Sequence, residues 1–377
     1  MAYLLSIVVP TKDRYFYLKH LVNLIKGFNE NQIELVVQDN TDDNSEILEF
    51  IQECDYPHLK YFHTLGQIPV TENSDKAILH STGEYVCFIG DDDGVVRNIL
   101  DYVRWMKDNN VDSLRSEPPI SYSWPGSEGY VFDNSAKLYY HKPKGKRVII
   151  TDYTKIRKAF LRKGGTEQLE NPRIYSGIVK RTVLDDVYKN AGTYFPGPSP
   201  DMASSTALSF VVRKHVIIDD IIVLAGSCPK STAGRGAKHQ HIGKIEDCPW
   251  LPSNTKRCWE KEIPSYWTGE TIYAESAIKA IRNMHQEKLL EDFNYAYFYA
   301  AFSIYHPGNF AMVKPYLNIK NILPFIFAII EIFSVRLSTF AKNIFVKKLG
   351  LKNNIKIREN VNSINECEDI IYHDSLK

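Results

Sequence analysis

The sequence of 377 residues has little of what defines several protein classes. Its six cysteines are scattered without a CxxC pair, which argues against a cysteine-bound zinc and a disulfide framework and indicates reduced thiols in the cytoplasm. The formal net charge is +1, so the overall charge gives no support for nucleic-acid binding. The apolar N-terminus lacks a basic start and a small-residue cleavage site, so we expect a buried strand there rather than a signal peptide.

The composition is that of a globular protein, 44% hydrophobic and 24% charged. Apolar, β-branched runs that are typical of strands buried on both faces occur at Leu4–Val9, Ile33–Val37 and Tyr85–Ile89. Segments with apolar residues at helical spacing lie between them, at 14–28, 45–54 and 73–80. This alternation predicts an α/β fold, a mostly parallel sheet flanked by helices, with ligands bound beyond the carboxyl ends of its strands.

Acidic residues follow two of these strands, where this fold class binds its ligands. Asp91, Asp92 and Asp93 come directly after the strand at Tyr85–Ile89 and lie between two glycines. Adjacent carboxylates repel one another, and hard oxygen ligands suit Mg²⁺ or Mn²⁺ held together with substrate phosphates. We interpret the run as a metal-binding motif, and the alternative is a solvated acidic turn.

Three segments together resemble the nucleotide-binding half of family 2 glycosyltransferases: SIVVPTKDR at 6–14, ELVVQDNTDDN at 34–44 and GEYVCFIGDDDG at 83–94. Their order and spacing also resemble the family, strongly over about the first hundred residues and weakly to residue 224. The resemblance implies a GT-A (Rossmann-like) fold, a nucleotide-sugar donor that is typically a UDP-sugar, and Mn²⁺ or Mg²⁺ as cofactor. The QxxRW sequence of processive members is absent, so we expect single or limited sugar transfer.

The family pattern implies roles for particular residues. Pro10 and Thr11 close the first strand and would contact the nucleoside, and Asp39 would hydrogen-bond the base. Asp93 would bind the metal, whereas Asp91 would contact the ribose or the metal, and Asp92 between them belongs to the same nucleotide-sugar site. The metal would neutralise the charge that develops on the leaving diphosphate.

An inverting transfer also needs a base that takes the proton of the acceptor hydroxyl. Asp201 is our candidate, because it follows the stiff PGPSP sequence at 196–200 and opens a predicted helix whose N-terminal dipole favours the ionised carboxylate. Family members usually place a Glu-Asp pair at such a helix start, whereas Pro200 precedes Asp201 here. The alternative is a helix N-cap, a position where aspartate is common.

The segment 226–243 is rich in glycine, lysine and histidine, which predicts a loop that is either disordered or ordered by a ligand. Some GT-A enzymes complete the metal shell with a C-terminal histidine, and we prefer His241 to His239 for that role. Arg235 is a candidate to close over the diphosphate, together with the basic residues Lys230, Lys238 and Lys244. A solvated polar loop is the alternative.

The most apolar stretch, Ile322–Val335, is shorter than the roughly 20 residues that span a bilayer, and Pro324 and Glu331 interrupt it. Basic residues follow among further apolar ones: Arg336, Lys342, Lys347, Lys348 and Lys352. We interpret this region as an amphipathic segment in the membrane interface, with a core helix as the alternative. A glycan or polyprenyl-diphosphate-linked acceptor at the inner face of a bacterial membrane, in O-antigen or capsule synthesis, would explain it.

We expect four regions: a catalytic domain at 1–225, an active-site loop region at 226–264, a helical region with the membrane segment at 265–352, and a polar tail at 353–377. Two other functions stay open. A sugar nucleotidyltransferase carries a Gly-rich basic loop after its first strand, where this chain has PTKDR without glycine. A non-catalytic GT-A scaffold would not need the acidic motif and Asp39.

Overall fold

The computed structural model describes residues 3–117, 120–127, 135–231, 242–348 and 355–375, without the side chains of 343–348. The strands are β1 (Leu5–Thr11), β2 (Ile33–Asp39), β3 (Leu59–His63), β4 (Tyr85–Phe88), β5 (Gly94–Val95), β6 (Ser113–Ser116), β7 (Ile120–Ser123), β8 (Lys137–His141), β9 (Arg147–Ile150), β10 (Gly177–Lys180), β11 (His215–Ile218), β12 (Val223–Leu224), β13 (Gly226–Ser227), β14 (Gly243–Lys244), β15 (Tyr266–Trp267) and β16 (Ile355–Glu359).

The helices are α1 (Tyr15–Gly27), α2 (Ser45–Cys54), α3 (Val70–Leu79), α4 (Ile99–Asp108), α5 (Thr154–Arg162), α6 (Arg181–Ala191), α7 (Pro200–Val211), α8 (Thr255–Cys258), α9 (Gly269–Asn283), α10 (Tyr295–Tyr305), α11 (Ile322–Lys348) and α12 (Ile364–Ser375). Short 3₁₀ turns lie between some of them. All six cysteines are free thiols.

Eight strands form the central sheet, in the order β3-β2-β1-β4-β10-β6-β11-β9. The pairs β1–β2, β1–β4, β2–β3 and β6–β11 are parallel, whereas β10 runs antiparallel to both of its neighbours and β9 runs antiparallel to β11. The sheet is therefore mixed and mostly parallel, with helices on both faces, which confirms the predicted α/β fold class.

The first strand explains why apolar runs mark this sheet. Successive side chains of a strand point to opposite faces. Ile7 joins a core with Leu21 of α1, while its neighbour Val8 joins the opposite core with Ala77 and Ile78 of α3. Because every side chain of β1 except Pro10 is buried, a continuous apolar run stabilises the strand better than an alternating one.

The C-terminal residues fold back onto the catalytic half. Strand β16 joins a second sheet in the order β13-β7-β8-β16, and α12 packs behind the acidic motif. Ile364 of α12 occupies the space beside Gly94, and Arg97 forms an ion pair with Glu368. The polar tail predicted at 353–377 thus contains a strand and a helix, in which Ile364 and Cys367 are buried while polar side chains cover the outer face of the helix.

The helical region has its own core, in which Phe298 and Phe302 of α10 pack with Ile278 and Ile281 of α9. Helix α11 continues for 27 residues. Pro324 does not interrupt it, because a proline in the first turn removes no intrahelical hydrogen bond. The expectation of a stretch too short to span a bilayer is therefore wrong: within the described residues, this one helix has a segment of 21 residues, Ile322–Lys342, long and apolar enough to do so by length and composition.

Candidate functional site

The acidic motif lies at the carboxyl ends of β1 and β4, where two other segments meet it. The Thr11 hydroxyl donates a hydrogen bond of 2.5 Å to Oδ2 of Asp91. Arg14, at the start of α1, places its Nε 3.0 Å from Oδ1 of Asp91 and its Nη1 3.4 Å from Oδ1 of Asp92. The guanidinium therefore compensates two of the three carboxylates in the ligand-free protein.

The third carboxylate fastens two loops. Asp93 accepts 2.8 and 3.1 Å hydrogen bonds at Oδ2 from the Gly90 amide and the Tyr175 hydroxyl, and a 2.7 Å bond at Oδ1 from the Gly226 amide. Gly226 also has to be glycine, because an added Cβ would lie 1.7 Å from the carbonyl oxygen of Asp92. These contacts hold β13 directly against the acidic motif.

Asp92 is bound in the same way from its other side. Its Oδ2 accepts a 3.0 Å hydrogen bond from the Cys228 amide, and its carbonyl accepts one of 2.8 Å from the Trp124 indole. All three aspartates of the motif are at most 3% exposed. Such burial favours the neutral form of a carboxyl group. It also excludes the alternative interpretation of the run as a solvated acidic turn.

Burial and the neighbouring Asp92 raise the pKa values of Asp91 and Asp93. Arg14 opposes this on Asp91, where its cation favours the carboxylate. Burial also works against the charge of Arg14, but Asp91 and Asp92 hold the pKa of its guanidinium above the ordinary value. Arg14 was not among the predicted site residues, although it ends the SIVVPTKDR segment, one turn beyond the strand.

Asp39 lies beside this cluster, since it pairs with Thr11 across β1 and β2. Its Oδ2 accepts hydrogen bonds of 2.6 and 2.7 Å from the hydroxyls of Tyr15 and Tyr61, and its Oδ1 accepts one of 2.8 Å from the Thr41 amide. The side chain has no exposed surface. Its role towards a base stays a prediction, as does that of Pro10, which is partly exposed at the end of β1.

Asp201 is the second position of α7 and not its N-cap, which is Ser199. The side chain is partly exposed, and no described residue donates a hydrogen bond to its carboxylate. Burial raises the pKa of this carboxyl to about 6, against the opposing charge of Arg173. The N-cap alternative is therefore wrong, and the group has the pKa that a base needs near neutral pH.

Tyr175 connects the two acidic centres. Its hydroxyl donates a hydrogen bond to Asp93. Burial is the main cause of the raised pKa of Tyr175, and the negative charges of Asp93 and Asp201 raise it further. The tyrosine precedes Ser176, whose φ of 56° turns the chain sharply into β10. The structure thus brings Asp201 to the same site as residues more than one hundred positions earlier.

Two predicted site residues, Arg235 and His241, lie outside the described residues, as do His239 and Lys238. Lys230 is described, and its Nζ donates a 3.2 Å hydrogen bond to the carbonyl of Asp13 in the loop after β1. Lys244 lies in β14, paired with Tyr266. Sequence reasoning missed Tyr15 and Tyr61, because an aromatic residue at helical or strand spacing is indistinguishable from core.

The donor chemistry of the acidic motif fits a divalent cation that takes one or two carboxylates and its other ligands from a substrate. Oδ1 of Asp91 is buried without a hydrogen bond of acceptable geometry, although Arg14 lies near it, so one hard oxygen is left over. Among the described residues, no group of three or more potential side-chain ligands surrounds a common point. A cage made entirely by these side chains is therefore not present.

An α/β sheet with a buried acidic run at the end of a central strand is the arrangement that the resemblance to family 2 glycosyltransferases implies. The sequence agrees, since residues 6–163 match the family Glycosyl transferase family 2. This match covers less than half of the chain, and over residues 6–163 the chain is similar to that family.

Several solved structures are similar in fold. TarS 1–349 of S. aureus in complex with UDP-GlcNAc has a TM-score of 0.49 at 15% identity, over 86% of this chain and 79% of that one. The mannosyltransferase PcManGT from Pyrobaculum calidifontis, in complex with GDP-Man and Mn²⁺, has a TM-score of 0.39 at 14% identity, over 100% of this chain and 88% of that one. The longer structure of S. aureus TarS has a TM-score of 0.42 at 16% identity, and the match covers 60% of this chain and 37% of that one. No curated protein matches the sequence.

Proposed function

We propose that this protein is an inverting glycosyltransferase that uses a UDP-sugar donor, with Asp201 as the base. The observation that carries the proposal is the Asp201 carboxylate. It has no hydrogen-bond donor among the described side chains and amides, its pKa is raised to about 6, and Tyr175 connects it to the acidic motif. A structural aspartate would have its donors, whereas a base keeps its lone pairs for the acceptor hydroxyl.

In the reaction, the acceptor oxygen forms a bond to the anomeric carbon while the bond from that carbon to the diphosphate oxygen breaks. Asp201 receives the hydroxyl proton, and the nucleoside diphosphate leaves with the electron pair. Thr11, Asp39 and the acidic motif would orient the donor, and Asp91 and Asp93 would hold a Mg²⁺ or Mn²⁺ ion. Such an ion supplies Lewis-acid stabilisation of the leaving diphosphate when it is bound.

The experiment is a thermal-shift series of the purified protein against UDP-, GDP-, dTDP- and CMP-sugars, each with and without Mn²⁺. A ligand that binds only the native state raises its apparent stability by mass action. We expect a metal-dependent increase in Tm with UDP-sugars. An increase with another nucleotide alone would overturn the donor assignment. No increase with any nucleotide would favour the non-catalytic scaffold.

We also propose that α11 attaches the enzyme to the surface of a membrane. One face of the helix packs on the protein through Phe325, Ala328 and Ile332, each at most 6% exposed. On the opposite face Leu323, Phe327, Ile330, Phe333, Leu337 and Phe340 are all more than half exposed. An apolar surface of this kind is uncommon on a monomer that stays in water.

An orientation along the surface is supported by the ion pairs of the helix. Glu331 lies 2.9 Å from Arg162 and 3.7 Å from Lys163, both at the C-terminal end of α5, and Arg336 stacks over the Tyr305 ring. A spanning orientation would break these contacts and move Glu331 into hydrocarbon, at a cost of several kcal/mol. The acceptor at that surface would be a glycan or polyprenyl-diphosphate-linked glycan of a surface polysaccharide pathway.

Sedimentation with vesicles that contain anionic lipid tests the membrane proposal. Deleting residues 322–377 is unsuitable, because it removes buried residues of α12 as well. The double substitution Phe327→Asp and Phe333→Asp leaves the packed face intact, and we expect it to release the protein from vesicles. Leu48→Asp, on an exposed position of α2, is the matched control. Unchanged sedimentation of the double variant would contradict the proposal.

A further inference from the structure

Two arginines beside β10 have a donor, Nε, that nothing in the described structure uses. Arg115 is the third residue of β6 and lies opposite Gly177 of β10, and its side chain is 8% exposed. Arg173 lies four residues before Gly177, and its carbonyl occupies the space where a Cβ of Gly177 would be. The Nε atoms of both arginines are buried without a hydrogen-bond partner.

The compensation for their charge is small. Among the described residues, Arg115 has one carboxylate within 4 Å, that of the mostly exposed Glu117 at 3.5 Å, and the charge of Glu170 acts on it from farther away. Arg173 donates from Nη2 to the carbonyl of Leu169 at 3.1 Å. A buried charge destabilises the fold unless partners satisfy it. Burial, reinforced by the charge of Arg173, lowers the pKa of Arg115 to about 10.

Other polar atoms near these arginines are unpartnered as well. His215, which is fully buried, has no partner for its Nε2, and burial together with both arginines lowers the pKa of its imidazole to about 3. Asn171, two residues before Arg173, leaves its Oδ1 without a donor. These two atoms are acceptors, so an anion would not satisfy them, whereas the unused Nε donors of the two arginines are the groups that an anion would meet.

The position of the pair relative to Asp201 indicates whose charge it would meet. Arg173 acts electrostatically on Asp201 and on Tyr273, whereas Arg14 is the cation that contacts Asp91 and Asp92. The donor diphosphate belongs to the acidic motif. Because Asp201 is the proposed base and Arg173 is the cation that acts on it, we assign the two arginines to the acceptor side rather than to the donor side.

We propose that Arg115 and Arg173 form a subsite for an anionic group of the acceptor, a phosphate or a carboxylate close to the hydroxyl that receives the sugar. The planar guanidinium suits both groups, because it donates two parallel hydrogen bonds to them. The proposal rests on the proposed function, since Asp201 identifies the acceptor side.

The first test titrates inorganic phosphate into the full chain and follows Tm and the ³¹P line width. We expect phosphate to raise Tm, and Arg115→Gln and Arg173→Gln to weaken its binding by about tenfold or more, as loss of a charged hydrogen bond does. Arg157→Gln is the matched control, because Arg157 also packs on α7 but donates to the Ser209 carbonyl. Equal phosphate binding by all variants would overturn the proposal.

Folding of the variants is an independent measurement. Since the charge of Arg115 is poorly compensated, we expect Arg115→Gln without phosphate to be as stable as the wild type. A variant that fails to fold would contradict the proposal, because the arginine would then be structural.

A second test identifies the anion and separates this inference from the proposed function. Glycerol 3-phosphate and glucuronate are compared with glycerol and glucose, which distinguishes phosphate, carboxylate and uncharged ligands. UDP with Mn²⁺ is then added. Additive Tm shifts of UDP and phosphate are expected. Competition between them would assign the arginines to the donor site, and loss of the UDP shift alone would sink the proposed function while leaving the anion subsite intact.

Discussion

The acidic motif and the region around Asp201 lie at the same end of the sheet but differ in how their polar groups are satisfied. In the motif, Asp92 and Asp93 accept hydrogen bonds at both carboxylate oxygens, and Arg14 compensates the charges of Asp91 and Asp92. Around Asp201 the carboxylate has no described donor, and Arg115 and Arg173 each leave Nε unused. The motif carboxylates are at most 3% exposed, whereas Asp201 is partly exposed.

The difference follows from what each region has to do without a ligand. Carboxylates that fasten loops keep their geometry in the absence of donor and metal, which preorganises the donor side. Groups that meet a ligand directly must keep their hydrogen-bonding capacity free, at a cost to stability. The predictions below test whether satisfied groups behave as structural ones and unsatisfied groups as catalytic or binding ones.

Asp201→Asn is expected to have the largest effect. Asparagine keeps the shape but cannot take a proton, so kcat for transfer should fall by about 10²–10⁴-fold while donor binding is retained. Steady-state transfer rates and Tm shifts with a UDP-sugar measure the two effects. A loss of donor binding equal to the loss of rate would give Asp201 a donor-side role instead.

Asp93→Ala is expected to lower metal-dependent turnover by about 10²-fold or more, because a carboxylate that would hold the metal ion is lost. Two amides, of Gly90 and Gly226, also lose their acceptor, so unfolding should become easier by about 1–3 kcal/mol. Donor hydrolysis with Mn²⁺ and chemical denaturation measure these changes. Asp101→Ala, on the exposed side of α4, serves as the control. Full activity of Asp93→Ala would show that Asp93 does not bind the metal.

The pH dependence separates the base from the other acidic groups. With a pKa of about 6, Asp201 is a carboxylate above that value, so kcat/KM should rise about tenfold per pH unit below 6 and level off above 7. The stability has the opposite sign. Since the folded pKa is raised above that of the unfolded chain, the ionised group destabilises the fold above pH 6, and this cost disappears as the pH falls towards 4.

Comparing wild type with Asp201→Asn isolates that contribution from those of His215 and the other buried groups. The variant should be more stable by about 1 kcal/mol at pH 8, a value reduced for the partial exposure of Asp201, and equal at pH 4. Denaturation at both pH values is the measurement. A stability difference that does not change with pH would mean that the carboxylate is not the group concerned.

The sequence could predict the donor half well, because local signals act there. Strands buried on both faces need continuous apolar runs. Two of these runs end just before Asp39 and Asp91, so the sequence indicates which carboxylates lie at the strand ends. The helix start at Asp201 was also predictable, since proline fixes the backbone of its first turn. What the sequence could not give is which groups lack partners, because that depends on residues far apart in the chain.

Arg115 and Arg173 illustrate this limit. Each is an ordinary arginine in its local sequence, and only the pairing of β6 with β10 brings both to one buried place. Helix α12 was not predicted from the sequence for a related reason. Its apolar residues are few, and they are buried only because they pack against Gly94 and α1. Tertiary contacts of this kind override local composition.

The smallest expected effect belongs to Tyr175, which bonds Asp93 and is also affected by the charge of Asp201. Tyr175→Phe removes the 3.1 Å hydrogen bond to Asp93 but leaves the amides of Gly90 and Gly226 in place. If the bond only positions Asp93, kcat/KM should fall about fivefold, corresponding to about 1 kcal/mol, with no change in the pH midpoint. Tyr188→Phe, whose hydroxyl makes no hydrogen bond to a described residue, should retain full activity. In an Asp93→Ala background, Tyr175→Phe should cause no further fall in kcat/KM. A further fall there, or a shifted pH midpoint, would mean that Tyr175 acts on Asp201 rather than through Asp93.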